Sequence, residues 1–272
     1  MKRFTVLTLF LLSRQLKAQE LFVFTEPASN MAVSSAGIRL NNSFVRETGD
    51  PRTEYHLRPE LMFSVSKKLM LHTEFFFSNR KVNGLLFEGG SFYAKYRIYS
   101  ADDIHSHFRI GVFGRYSFNN SPVDQEAIDL NGYNSGYEAG VVATKLLNKL
   151  ALSSTCSLDH AIDNGNGNKF LYGNDRRNAV NYTFSAGRLL LPREYTSYKQ
   201  TNLNVMVELL GQTNTGTGRG WLDMAPSLQL IINSVARIDL GQRIQLSGKL
   251  QRSTLGETFV RLEYNFFNLF KK

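Results

Sequence analysis

Apolar residues recur at every second position through most of this chain. Twelve stretches of 10 to 13 residues show the pattern. A period of two is typical of a β-strand with one apolar and one polar face. The stretches are 37–46, 55–66, 69–78, 90–99, 107–118, 135–146, 149–159, 178–190, 201–212, 221–232, 236–247 and 257–267. The pattern therefore predicts an all-β protein of about 12 strands.

The length of the stretches indicates where the apolar face points. Strands in globular proteins commonly have about 5–6 residues, whereas a tilted strand that crosses a bilayer needs about 9–11. The connections also alternate between short turns, such as 147–148, and longer polar segments, such as 119–134 and 160–177. This alternation is typical of bacterial outer-membrane barrels. We therefore predict that residues 37–272 form a transmembrane antiparallel up-and-down β-barrel in the cell outer membrane.

A soluble β-sandwich and a periplasmic barrel are the alternatives, because their strands alternate too. In both, the apolar face would point inward. The uniform strand length and the regular order of short and long connections favour the membrane barrel. An even number of strands places both termini in the periplasm, which fits a protein exported from its N-terminus.

The first 18 residues have the features of a secretory signal peptide. Lys2 and Arg3 precede a mostly apolar stretch at 4–12, and Ala18 offers a small residue for cleavage. The apolar stretch is too short for a transmembrane helix. Residues 19–36 would then be either a periplasmic lead-in or a plug inside the barrel.

Composition excludes several other classes of protein. Removal of residues 1–18 leaves a surplus of five basic over acidic residues. That surplus is too small and too dispersed for a nucleic-acid partner. The single cysteine, Cys156, excludes a disulfide scaffold, and we expect it to be a small buried apolar residue.

Charged residues of both signs fall on the face that a barrel encloses. They either line a water-filled path or neutralise one another across strands and fill a narrow bore. Twelve strands lie between the filled 8-stranded barrels and the open 16-stranded porins, so both alternatives stand. The predicted lumen-lining residues are Arg58, Glu60, His72, Glu74, Lys95, Arg97, Arg109, Arg115, Glu138, Asp159, Glu208, Asp223, Arg237, Asp239, Arg243, Arg261 and Glu263.

Glu60 and Glu74 form one specific candidate within this set. A tight turn at 66–68 would place them opposite each other. Facing carboxylates share a proton or bind a cation. The alternative, which we favour, is that Arg58 and Arg97 lie close and neutralise both.

The sequence offers no catalytic site, metal site or cofactor site. It has no Gly-x-Ser-x-Gly motif. Ser157 and Asp159 are near His160, but strand alternation sends that histidine to the opposite face. His105 and His107 share a face without a third ligand. We therefore expect a protein that is not an enzyme.

Aromatic residues near the predicted strand ends fit the two lipid–water boundaries, where amphipathic rings are favoured. They are Tyr55, Phe77, Tyr99, Phe118, Tyr137, Trp221 and Phe267.

The final strand resembles the last-strand signal that the barrel-assembly machinery of Gram-negative bacteria reads. Val260, Leu262, Tyr264 and Phe266 alternate close to the C-terminus, although residues 267–272 follow them. We therefore expect that machinery and outer-membrane lipid to be partners of the protein.

Most of the mature chain resembles a family of 12-stranded outer-membrane transporters linked to the MetA pathway of phenol degradation. The resemblance lies in Glu26-Pro27-Ala28-Ser29-Asn30-Met31 and in Leu191-Pro192-Arg193 with Tyr198 and Asn202. Gln19 directly after Ala18 is similar to signal-peptide junctions of Bacteroidota. The resemblance implies transport of small organic or aromatic solutes.

The leading hypothesis is therefore passage of small solutes through a charged lumen. One alternative is a structural or surface-binding barrel whose loops, chiefly 119–134 and 160–177, contact a ligand outside the cell. The other is a membrane-embedded lipid hydrolase. The sequence does not identify the solute.

Overall fold

The computed structural model describes most of the chain after the predicted signal peptide. The predicted cleavage region, His105 and Tyr198 lie outside the described residues. The described residues are 22–47, 53–80, 84–103, 106–194 and 199–269.

Twelve strands match the twelve predicted stretches one for one. Among the described residues, helical structure is limited to one 3-10 turn at Asn174–Arg176, and no helix is long and apolar enough to cross a membrane. The strands are β1 (Ser35–Glu47), β2 (Thr53–Ser64), β3 (Leu69–Ser78), β4 (Leu86–Asp102), β5 (Ser106–Asn119), β6 (Ser135–Leu147), β7 (Leu150–Ile162), β8 (Asn178–Leu191), β9 (Asn202–Asn214), β10 (Gly220–Ile232), β11 (Ala236–Gly248) and β12 (Thr254–Phe266).

The strands form one closed barrel in which each strand pairs with its neighbours in the sequence. β1 and β12 close the ring as an antiparallel pair, with Ile38 opposite Tyr264 and Asn42 opposite Val260. Closure leaves no unpaired edge, which is the condition for a sheet to cross the hydrocarbon region of a bilayer. The predicted up-and-down barrel is confirmed.

The two ends of the barrel differ. At the short-turn end, β2–β3, β4–β5, β6–β7 and β10–β11 are joined by tight connections, and 192–201 is a longer exception. At the long-loop end, the two largest connections are 120–134 and 163–177. The short-turn end corresponds to the periplasmic side in bacterial barrels of this kind.

The outer surface carries the apolar side chains. Ile38, Phe92, Val141, Leu228 and Leu240 are between 44% and 55% exposed, although each is flanked along its strand by enclosed residues. A soluble sandwich or barrel would bury these side chains. The exposed belt instead supports contact with lipid.

Strand β4 is longer than its prediction. Leu86 and Phe87 extend it toward the long-loop end by pairing with Ser78 and Phe77, and a register shift lies beside Phe77. The connection between β3 and β4 is shorter as a result. The backbone of Gly90 packs closely against β3, since an added Cβ would lie 2.7 Å from the carbonyl oxygen of Glu74.

The expectation that Cys156 is buried in a protein core was wrong. It lies on the outward side of β7 and is exposed. Its neighbours Ser157 and Thr155 point to the other face, so alternation places the thiol among the lipid-facing side chains.

We expect Val141→Arg to reduce the free energy of unfolding by about 2–4 kcal/mol, because Val141 is at the middle of lipid-exposed β6. Urea unfolding in lipid bilayers measures the change. Tyr137→Arg is the matched control on the same outward face, nearer the strand end, where the cost falls to about 0–1 kcal/mol. Equal costs at both positions would contradict the assigned membrane belt.

Candidate functional site in the barrel interior

The predicted lumen-lining residues lie on the inward-facing positions of their strands. Lys95, Glu208 and Asp239 have no measurable exposure, and Asp223 is 1% exposed. Arg97 and Arg109 lie near the short-turn end. The interior of the barrel is therefore strongly charged, with both signs present.

A charged belt crosses five neighbouring strands from β11 to β3. It consists of Arg237, Asp239, Arg261, Glu263, Arg39, Glu60 and His72. Each acid in it contacts a base on an adjacent strand, which offsets the cost of removing these charges from water.

Arg39 is the centre of the charged belt. Its Nε donates to Glu263 at 2.8 Å and its Nη1 donates to Glu60 at 2.9 Å. Glu60 also contacts Nδ1 of His72 at 2.5 Å. Arg39 is absent from the predicted lumen-lining residues, although its position between the outward residues Ile38 and Leu40 places it on the inward face.

The predicted facing of Glu60 and Glu74 is confirmed, because the two residues are cross-strand partners. Their predicted neutralisation by Arg58 and Arg97 is only partly right. Arg58 lies 3.8 Å from Glu74, but Arg97 donates to the backbone oxygen of Lys67. Arg97 lies closer to the short-turn end of the barrel than the two carboxylates do.

The remaining partners of Glu74 are Arg115 on β5 and Asn41 on β1. Arg115 on β5 lies 3.8 Å from Glu74 and donates to Glu138 on β6 at 3.0 Å. Asn41 on β1 donates to Glu74 at 3.4 Å. The two carboxylates are thus embedded in a network of guanidinium groups.

Residues 22–34, called here the N-terminal segment, lie inside the barrel at the short-turn end and reach its middle. Glu208 on β9 accepts hydrogen bonds from the backbone N–H groups of Val23, Phe24 and Thr25 at 2.8, 3.0 and 2.8 Å. Arg261 on β12 donates to two backbone oxygens of the same stretch. The barrel therefore holds the segment through its backbone.

Further contacts hold the rest of the N-terminal segment. Lys95 on β4 donates to the backbone oxygens of Pro27 and Ser29 and lies 3.2 Å from the carboxylate of Glu26. Phe22 is buried beside Ala151 and Met206 in a small apolar cluster. Strand alternation could not identify these contacts because the segment has no strand.

Residues 120–134, called here the inner loop, fold into the barrel from the long-loop end. Gln212 on β9 exchanges hydrogen bonds with the backbone of Ile128 at 3.0 and 2.7 Å. Tyr133 contacts Thr254 at the start of β12. Burial raises the pKa of the Tyr133 hydroxyl above its usual range, so the group stays neutral. The loop is thus held across the bore.

A cavity of about 210 Å³ is bordered by the N-terminal segment and the inner loop. This is far above the roughly 10–15 Å³ that one water molecule needs. Its walls include Arg58, Arg115, Asp159 and Arg243. A smaller cavity of about 110 Å³ lies beside the charged belt. The interior therefore contains polar space and is not completely filled by side chains.

The predicted position of Trp221 at a lipid boundary was wrong. Trp221 has the same inward parity as Asp223 and lines the larger cavity. The guanidinium carbons of Arg243 and Arg252 lie over its ring, each 4.8 Å from the centroid. Attraction between these cations and the ring favours the inward position. Tyr99 and Tyr137 are exposed on the outer surface, where the prediction placed them.

The candidate catalytic and metal residues do not assemble into a site. His160 is on the outer face and contacts Asn178, whereas Ser157 and Asp159 are buried inside. His107 contacts Asp102. Across the described part of the chain, no group of three or more His, Cys, Asp or Glu residues could hold a metal ion.

Fold and interior together define the class: a closed outer-membrane β-barrel of 12 strands, with an apolar outer face and a charged bore. No family model and no curated protein matches the chain. The MetA-pathway family and the Bacteroidota origin therefore stay predictions from the sequence.

Three solved structures share the architecture. An outer-membrane channel from Pseudomonas putida F1 has a TM-score of 0.58 and 11% identity, covering 90% of this chain and 100% of that one. The KdgM porin has a TM-score of 0.52 and 11% identity, covering 85% and 99%. The NanC porin has a TM-score of 0.52 and 12% identity, covering 84% and 98%. At such low identity the likeness shows the fold.

We expect Arg39→Met to lower the free energy of unfolding by about 3–5 kcal/mol, because it leaves Glu60 and Glu263 without their shared cation. Urea unfolding of the refolded barrel measures the loss. The double variant Arg39→Met, Glu60→Gln should recover part of it, since one unpaired charge is removed. A loss below about 1 kcal/mol, as for exposed ion pairs, would contradict the role of Arg39.

We expect Glu208→Ala to release the N-terminal segment, because three backbone N–H groups lose their acceptor. Amide hydrogen exchange at residues 23–25 should accelerate by at least about tenfold, since each charge-assisted bond contributes roughly 1.5–3 kcal/mol. Glu208→Gln, which keeps one acceptor oxygen, is the control and should show a smaller effect. Unchanged protection in Glu208→Ala would show that other contacts hold the segment.

Proposed function

We propose that this protein passes small solutes across the outer membrane through its charged lumen. The observation that carries the proposal is the cavity of about 210 Å³ inside a closed barrel, lined by both charged and aromatic side chains. Charged rings and walls at a constriction bias which solute passes. The porin and channel architecture of the similar structures supports this function over catalysis.

Two constrictions would set the size of the solute. The inner loop narrows the bore from the long-loop end, and the N-terminal segment acts as a plug from the short-turn end. The cavity between them is below the roughly 300–1,000 Å³ of typical drug-sized pockets. The proposed solutes are therefore small, and movement of the plug is required for passage.

Aromatic solutes are the finer part of the proposal. Phe24, Tyr93, Phe113 and Tyr133 border the cavity together with Trp221. Such rings favour offset or edge contacts with a flat apolar solute. This lining supports the solute class that the sequence resemblance implied.

We expect the purified protein to conduct ions in planar lipid bilayers, and deletion of residues 22–31 to raise the single-channel conductance severalfold, because the deletion removes the backbone contacts that occupy the bore. Liposome swelling with neutral sugars provides a second measurement. Asp175→Asn, a change at an exposed loop residue, is the control and should leave conductance unchanged.

A barrel that only binds a ligand with its outer loops predicts a different result. It would conduct in neither form, and deletion within 163–177 would abolish ligand capture. The channel proposal is overturned if neither the full-length protein nor the variant lacking residues 22–31 conducts ions or admits any solute tested.

A further inference from the structure

The carboxylate of Asp159 is enclosed in the barrel wall without an ion-pair partner among the described residues. The residue is 5% exposed and lines the larger cavity. Its Oδ2 accepts a hydrogen bond from Asn181 at 2.6 Å, whereas its Oδ1 has no hydrogen-bond partner in the described part of the chain. Burial of a carboxyl oxygen without a hydrogen-bond partner costs free energy of folding unless a donor or a cation reaches it.

Asp159 lies beside a second carboxylate rather than beside a cation. Glu138 is its cross-strand partner on β6 and accepts from Arg115 at 3.0 Å. The guanidinium group of Arg115 therefore contacts Glu138, has no ion pair with Asp159 in the described part of the chain, and also lies 3.8 Å from Glu74. This wall of the cavity, formed by Asp159 and Glu138, is called here the acidic pole.

On a second wall, two guanidinium groups surround one carboxylate. Asp223 is contacted by two arginines, with Arg243 Nε and Arg252 Nη1 each 2.6 Å from its Oδ2. Both guanidinium groups also lie over the ring of Trp221. One carboxylate thus faces two cations. The pair Arg243 and Arg252, called here the basic pole, presents the planar donor groups that bind carboxylates well.

The two poles belong to one cavity and to one level of the barrel. Asp159 and Asp223 each lie three positions from the long-loop end of their strands, and both arginines and Asp159 line the same space. Other charges there have contacts of their own: Glu257 accepts from Ser43, and Arg58 donates to the backbone oxygen of Asn131. The cavity therefore has, on one wall, a carboxylate without an ion pair in the described ranges and, on another, two guanidinium groups.

We propose that this cavity binds small zwitterions of amino-acid type, with the ammonium group at the acidic pole and the carboxylate at the basic pole. The inference rests on the proposed function, because it names the solute that the lumen passes. Aromatic rings at the cavity wall accommodate a flat side chain. An inorganic divalent cation fits less well, since calcium takes 6–8 oxygen ligands and the described ranges contain no group of three or more His, Cys, Asp or Glu residues that could hold a metal ion.

Trp221 is the single tryptophan of the chain and reports directly on the cavity. Its fluorescence can be titrated in detergent with three probes that share a phenyl ring: L-phenylalanine, 3-phenylpropionate and phenethylamine. The first has both charged groups, the second only the carboxylate and the third only the ammonium. We expect L-phenylalanine to bind at least tenfold more tightly than either analogue.

Two variants separate the poles. Asp159→Asn should remove the preference for L-phenylalanine over 3-phenylpropionate, and Arg252→Gln should remove the preference over phenethylamine. Asp163→Asn is the matched control, because it removes a carboxylate from the same region of the chain but pairs with Arg177 outside the cavity. Heat-modified mobility on gels verifies that each barrel has folded.

The outcomes distinguish this inference from the proposed function. Equal affinity for the three probes, or affinity that follows net charge alone, overturns the zwitterion site even when liposomes take up neutral sugars. Tight binding of L-phenylalanine without uptake of it or of any sugar supports the site and overturns the channel. Loss of preference in Asp163→Asn as well would also overturn the assignment of the poles.

Discussion

Pairing of every backbone N–H and C=O group within the sheet is the constraint on which the rest of this structure depends. Lipid offers no hydrogen-bond partner, so the sheet must close on itself, and β1 meets β12 to complete the ring. Closure assigns alternate residues to lipid and to the interior. Apolar side chains such as Phe92 and Leu228 then face outward, and the ionic side chains of the same strands have only the bore to occupy.

Enclosed charges then require partners of their own. Along the charged belt, these partners are other side chains, as in the contacts of Arg39 with Glu60 and Glu263. Elsewhere, Glu208 and Lys95 are satisfied by the backbone of the N-terminal segment. The interior is therefore a set of local networks, and the larger cavity lies between the carboxylates of the acidic pole and the guanidinium groups of the basic pole.

Much of this architecture was predictable, because alternation operates on every strand. It fixed the strand count, the inward face and the register that sets Glu60 opposite Glu74. It could not assign ion-pair partners, since these depend on side-chain reach, and Arg97 was paired wrongly. Nor could it place Arg252 or Glu26, which lie outside strands. Trp221 was misplaced because residue type was given more weight than parity.

The way the N-terminal segment is anchored has a consequence for biogenesis. Its contacts come from β4, β6, β9 and β12, which are distributed around the whole ring. The full set of these contacts requires the complete ring. A barrel that stalls half-assembled would therefore lack part of the anchoring and leave residues 22–34 more accessible to periplasmic proteases.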